Sequence, residues 1–182
     1  ALRRADQPGE ALKAFEAALR FSSDENAAAV AIKLAAAASD IGDFELGRKL
    51  LEEAAKESKD TILGFVALDS LAGILLATGE IAALRSVVKQ LTFAPGALRI
   101  GSLFRSAQLA RLDGDFATSR QLLLSGREAL DPIASPAGVA GIEGELAELA
   151  ELEGIASEAN ESFQVAIDKL GEAARLSLAY RM

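Results

Sequence analysis

The chain contains no cysteine, no histidine and no tryptophan. Without cysteine there is no disulfide and no thiol nucleophile. Without histidine there is no Ser-His triad, no histidine-ligated haem and no ordinary zinc site. Metal chemistry is left to all-oxygen ligand sets, and no cofactor is implied. The missing cysteine does not assign a compartment, because it is compatible with oxidising and reducing surroundings. Aromatic residues make up only 5% of a chain that is 51% hydrophobic. Alanine and leucine carry most of that total, which favours close helix–helix packing over a sheet rich in β-branched and aromatic side chains. No strand-like alternation, low-complexity tract or long linker is visible, and neither is a signal-peptide pattern. The most apolar stretch, Thr61 to Gly79, is broken by Gly64, Asp69 and Gly73. It is expected to be a buried helix rather than a membrane span.

What is present is a turn that returns at a nearly constant interval. Gly42, Gly79, Gly114 and Gly154 are spaced 37, 35 and 40 residues apart, and Asp6 occupies the same slot 36 residues before Gly42. Glycine after a helix supplies a left-handed residue at little cost. The acidic residue after it (Asp43, Glu80, Asp115) can cap the next helix, and Ser157 can do so after Gly154. Further caps are expected from Ser22-Ser23-Asp24, from Ser58-Lys59-Asp60 and from Ser135 ahead of Pro136. Phe93-Ala94-Pro95-Gly96 and Asp131-Pro132 read as breaks. A period near 35 in a helix-rich chain predicts stacked helical hairpins, each burying its apolar face against its neighbours.

The same slots recur inside the repeats. Ala35, Ala72, Ala107 and Ala147 stand seven residues before the glycines, and Ala38, Leu75, Ala110 and Ala150 stand four before. Phe44, Ile81 and Phe116 follow the glycines by two. Ala11, Gly47, Ser119 and Ala159 supply a small residue at the fifth place, and Phe15, Leu51, Val88, Leu123 and Phe163 a large one at the ninth. In this pattern the chain resembles the tetratricopeptide repeat (TPR) family of bacterial type. The resemblance implies an all-α fold: an α-solenoid of about five antiparallel helical hairpins, with repeats near 1–22, 24–58, 60–94, 96–132 and 136–170. A capping helix over 172–182 is expected to complete a single domain 1–182. The third repeat departs at Leu84 and Leu91, so its hairpin is expected to be splayed or bulged.

The resemblance further implies a non-catalytic interaction scaffold that binds a protein or peptide in a groove lined by the first helix of each hairpin. Mapped onto that face, the candidate binding residues are Lys33, Asp69, Phe104, Arg105, Gln108, Arg111, Glu145, Glu148 and Glu151, with Ser70 and Gly73 beside Asp69. Arg105 and Arg111 suit bidentate pairing with a partner's carboxylates, and Phe104 suits an aromatic anchor. The alternative is that both arginines pair with acids of the next repeat. The family's clamp for a C-terminal carboxylate is not expected, because its positions hold Ile32, Ala36 and Gly73. The cluster Glu143, Glu145, Glu148, Glu151 and Glu153 is expected to be a solvated or partner-facing acidic face rather than a catalytic or calcium site.

Charge is unevenly placed within a net of −8. Residues 85–127 carry a net +5 and residues 128–182 a net −8. An acidic chain is a poor nucleic-acid ligand, and the asymmetry suits steering of a protein partner. Other readings stay open: a homodimer in which the basic stretch of one copy meets the acidic stretch of another, a membrane-anchored envelope subunit whose anchor lies upstream of Ala1, and a small-molecule-sensing helical regulator.

Overall fold

The computed structural model describes residues 8–22, 24–96, 98–130 and 135–179. Among these residues there are nine α-helices and no strand: α1 Pro8–Phe21, α2 Asp24–Asp40, α3 Phe44–Glu57, α4 Ile62–Ala77, α5 Ile81–Leu91, α6 Leu98–Leu112, α7 Phe116–Ala129, α8 Pro136–Leu152 and α9 Ala156–Ala179.

The turn glycines punctuate these helices as their spacing predicts. Gly42, Gly79, Gly114 and Gly154 take φ values of 82°, 74°, 76° and 75°, a region that side-chain-bearing residues enter only at a cost. The N–H that follows each glycine then reaches back to a carbonyl five residues earlier. Asp43 bonds Ala38, Glu80 bonds Leu75 and Asp115 bonds Ala110, each at 2.9 Å, and Ile155 bonds Ala150 at 2.8 Å. These long-reach bonds satisfy carbonyls that the helix end leaves open.

The next helices begin on acceptor side chains. Asp43 accepts from the Leu46 N–H and Asp115 from the Thr118 N–H. Glu80 makes no cap bond; its carboxylate instead accepts from the Thr78 hydroxyl and pairs with Arg48. The expected cap at Ser58–Asp60 is corrected. Thr61 caps α4 by accepting from the Gly64 N–H at 3.2 Å, and Ser58 closes α3. The turn is tight enough that a Cβ on Gly64 would lie 2.2 Å from the Ser58 carbonyl oxygen. Ser135 precedes Pro136 at the start of α8 but makes no side-chain cap bond.

The chain divides into two compact units, one ending at Ser102 and the other starting at Leu103. In the first, each helix from α1 to α5 packs on the next, and α2 also touches α4. Its core joins Leu34, Leu51, Leu71, Leu75, Leu84 and Leu91. The two departures of the third repeat, Leu84 and Leu91, are each 1% exposed, and no bulge interrupts α5. In the second, α8 packs on α7 and α9 around Leu123, Ile142, Leu146 and Leu149. The segment expected to form a capping helix is helical to Ala179 and continues α9 without a turn. Asp6, Ser23, Pro132 and residues 180–182 lie outside the described residues, as do the side chains of Ala11, Ser157 and 172–179.

The hairpins close through the small residues seven before each glycine and, except at Leu84, five after it. A Cβ on Gly47 would come within 3.3 Å of the Ala35 carbonyl oxygen and 2.9 Å of Ile74 Cδ1. In the fourth hairpin the Ser119 hydroxyl donates to the Ala107 carbonyl at 2.9 Å, fully buried. Ala147 and Ala159 are 0% and 2% exposed at the equivalent places. Backbones approach this closely only where neither side chain intervenes. Ala107→Phe is therefore expected to overpack its crossing and to lower stability by about 1–3 kcal/mol in urea unfolding. Ala82→Phe, on the exposed side of α5, is expected to change it by less than about 0.5 kcal/mol.

Candidate functional site

The first helices of the hairpins carry the side chains expected to meet a ligand. In the second unit these are α6 and α8. Successive spacings of three place Arg105, Gln108 and Arg111 along one side of α6. The Arg105 guanidinium stands 5.7 Å from the centre of the Phe104 ring, and its Nη1 donates to Gln108 Oε1 at 3.1 Å. Gln108 is 7% exposed and donates through Nε2 to Glu145 Oε1 on α8. The second oxygen of Glu145 faces Arg111 Nε at 3.3 Å, and Arg111 Nη2 lies 3.5 Å from Glu148 Oε2. The Arg111 Nε–Glu145 Oε2 contact is buried and outside hydrogen-bond geometry, so charge attraction alone holds it. Arg111 thus pairs with two acids of the next hairpin. Glu151, exposed, continues the face of Glu148 one turn on.

The acidic cluster is divided among different cations. Glu143, 5% exposed, accepts from Arg127 Nη1 at 3.1 Å. Glu153 and Glu158 both pair with Arg120. Among the described residues no group of three or more acids is placed to hold a metal ion. Hydrogen bonding to Glu153 leads the causes that raise the Arg120 guanidinium above its ordinary pKa, against partial burial. In the first unit Arg48 makes the same kind of link, to Glu52 at 2.8 Å and to Glu80 in the next turn. The hydrogen bond and then the charge of Glu52, followed by the charge of Glu80, raise its pKa. Sequence reasoning missed these links, although a signal existed. Arg48, Arg85 and Arg120 each stand six residues after a turn glycine, where an arginine can reach the following turn.

The first unit holds the remaining candidates. Lys33 is exposed on α2. Asp69, half-buried on α4, lines a hollow of about 140 Å³ with Phe65, Leu91 and Leu98. Ser70 and Gly73 line a separate groove of about 250 Å³ between α2 and α4, whose other walls include Ala35, Ala36, Ser39 and Ala77. The candidates therefore form one polar lattice on α6 and α8 and distinct features on α2 and α4. Thr61–Gly79, which contains Asp69, forms α4 with Leu71, Ala72, Ile74 and Leu75 buried. No helix among the described residues is long and apolar enough to cross a membrane.

No protein-family model matches the chain, and no curated protein matches it. Solved structures do. One is a point-substituted form of the nearly identical TPR-like repeats of a Podosopora anserina protein assigned as a kinesin light chain. It is 18% identical, with a TM-score of 0.67, over 96% of this chain and 92% of that one. MamA is 16% identical with a TM-score of 0.61, over 96% and 95%. BtubC from P. vanneervenii is 11% identical with a TM-score of 0.65, over 95% and 77%. The chain has a TPR-like, all-α helical-repeat fold.

The charges of this site are open to test by substitution. Arg111→Glu brings three carboxylates together on α6 and α8. It is expected to lower stability by about 1–3 kcal/mol at neutral pH, with part of the loss recovered in acid. An unchanged urea midpoint would show that Arg111 is not structurally engaged. Asp115 accepts hydrogen bonds from the Thr118 side chain and backbone, which hold its carboxyl below the ordinary 3.8. A folded value below the unfolded one stabilises the fold fully above the unfolded pKa, and that stabilisation is lost as pH falls through the folded value. Asp115→Asn keeps a capping acceptor but does not titrate. Its stability is expected to fall less steeply than wild type below about pH 4, measured as urea midpoints across that range.

Proposed function

We propose that the protein is a non-catalytic interaction scaffold that binds a protein or peptide through the first helices of its hairpins. The observation that carries this reading is the open groove between α2 and α4. Ala36, Ser39, Ser70, Gly73 and Ala77 present short side chains to it, beside Asp40, Phe44, Leu51 and Ile74, and about 250 Å³ is left unfilled. Larger side chains at those places would have closed the gap between the two helices. An extended segment or a single apolar side chain suits such a slot. Lys33, exposed on α2, supplies a cation on one of the two helices that form it.

The α6–α8 lattice contributes to the same reading in a different manner. Its charges neutralise one another, so a ligand that takes Arg105 or Arg111 must displace side chains already present. That makes the lattice a filter for geometry rather than a free cationic patch. The TPR-like fold supports protein binding as a class of function and names no partner.

A displayed peptide library selected on the folded protein tests the assignment. Selected peptides are expected to bind Ala36→Arg/Ser70→Arg, in which the groove is filled, at least about tenfold more weakly than wild type. Binding to Ala82→Arg, on the outer side of α5, is expected to be unchanged. Equal binding to the groove-filled variant and to wild type would sink the proposal.

A further inference from the structure

The groove of about 510 Å³ between α3 and α5 has a floor of Leu68, Leu71 and Leu75 and a rim of Glu52, Lys56 and Lys59. That rim carries both signs of charge and selects no partner by charge. In the second unit the charges are sorted. The paired guanidiniums stand on α6 and α7, and the carboxylates they meet stand on α8, on the turn after it and on α9.

This sorting coincides with a thin apolar joint. In the first unit α3 packs on α4 nearly as fully as on α2, whereas α8 packs far more fully on α9 than on α7. Gly126 is part of the reason. It is buried on α7 and opposes Ile142 of α8 without offering a side chain; a Cβ there would lie 3.3 Å from Ile142 Cδ1. Polar links cross the same joint. Arg127 Nη1 reaches Glu143 Oε1 at 3.1 Å, and Arg120 holds both Glu153 and Glu158. Arg111 lies 3.3 Å from Glu145 and 3.5 Å from Glu148, and Gln108 donates to Glu145. Three guanidiniums thus meet five carboxylates. The α8–α9 hairpin itself closes on small apolar residues, with Ala147, Ala159 and Ala166 buried.

We infer that this joint is an ionic hinge: the α8–α9 hairpin swings away from α7 as one body when its arginine–glutamate pairs are weakened. Ionic strength weakens them, because screening acts on pairs that keep contact with water. The side chains of Arg111, Arg120 and Arg127 are 21%, 24% and 44% exposed. One such pair contributes little, so the hinge depends on three arginines acting at one joint. The contact between α8 and α9 is apolar, and screening leaves it in place. Opening uncovers Gln108 and Arg111 on α6 and Glu145 on α8, so a charged partner that competes for them shifts the same equilibrium.

The chain has no cysteine, so one introduced thiol reports the opening. Ile142, 2% exposed, sits at the joint, and Ala166, 7% exposed, lies on α9, which packs on α8. The full chain carrying Ile142→Cys or Ala166→Cys, folded by circular dichroism, is labelled with uncharged iodoacetamide in about 20 mM and about 500 mM sodium chloride. The thiol of Ile142→Cys is expected to react at least about fivefold faster at the higher salt. That of Ala166→Cys is expected to change by less than about twofold, since the hairpin stays closed. Adding Arg120→Gln/Arg127→Gln to Ile142→Cys is expected to give the fast rate at both salt concentrations. Adding Arg48→Gln, which removes an ion pair of the first unit, is expected to leave the salt response intact. A rate at Ile142→Cys that salt does not change overturns the hinge. Equal acceleration at Ala166→Cys also overturns it, because the hairpin then unfolds rather than swings. So does a salt response that survives Arg120→Gln/Arg127→Gln.

Discussion

Everything in this fold depends on how closely two helices of a hairpin approach at one point. The Gly47 backbone lies against the Ala35 carbonyl, and the Ser119 hydroxyl bonds the Ala107 carbonyl. A crossing of that kind leaves no room for a longer side chain at either place. Its effect reaches beyond the hairpin. A small crossing draws the second helix inward, and its large residues, Leu51 and Leu123, are then 1% exposed. Those leucines bury area that the following helix must share, and in a repeat fold this shared burial is the main source of cohesion.

Polar links reinforce the apolar ones where the chain passes from one repeat to the next. Arg48 reaches Glu80, and Arg120 reaches Glu153 and Glu158. Each arginine lies in the second helix of one hairpin, and its acids lie at or near the next turn. An exposed pair of this kind contributes little by itself. Arg120 is better placed, because two carboxylates hold it and it is three-quarters covered. The charge asymmetry of residues 85–182 is thus in good part a consequence of pairing, with cations on α6 and α7 and anions on α8 and α9. A sequence with the same asymmetry and no such pairing would carry a strong external dipole. Here Arg111, Arg120 and Arg127 are each opposed by a glutamate close by.

The turn glycines, the small crossing residues and the nine-residue offset to the large ones were legible in the sequence. Each depends on backbone geometry or volume, and these repeat with the period. The caps at Asp43 and Asp115 were legible for the same reason. Thr61 was not, because Ser58, Asp60 and Thr61 are all capable acceptors, and only the path of the chain through α3 and α4 decides among them. The placement of Arg105, Gln108 and Arg111 on one side of α6 followed from helical spacing, but the occupation of Arg111 did not. Occupation depends on the distance between α6 and α8, which no spacing within one helix contains. The groove of Ala36, Ser70 and Gly73 was hidden because residues that make no contact leave no pattern of their own.

The two faces of the first unit differ for one physical reason. On the side of α2 and α4 the first helices touch each other, and the slot between them opens where Ala36, Ser39, Ser70, Gly73 and Ala77 face it, with Asp40, Phe44, Leu51 and Ile74 among its other walls. On the side of α3 and α5 the second helices are separated by α4, so the gap is wider and its floor is leucine. A ligand on the first side gains shape more than buried area. A ligand on the second side would gain apolar area over the leucine floor and the exposed Phe93. Both grooves are lined partly by residues that also hold the fold, Ala35 in one and Leu71 and Leu75 in the other. Substitutions that separate binding from folding must therefore fall on the outward residues: Ala36 and Ser70 in the first groove, Lys56, Lys59 and Phe93 in the second.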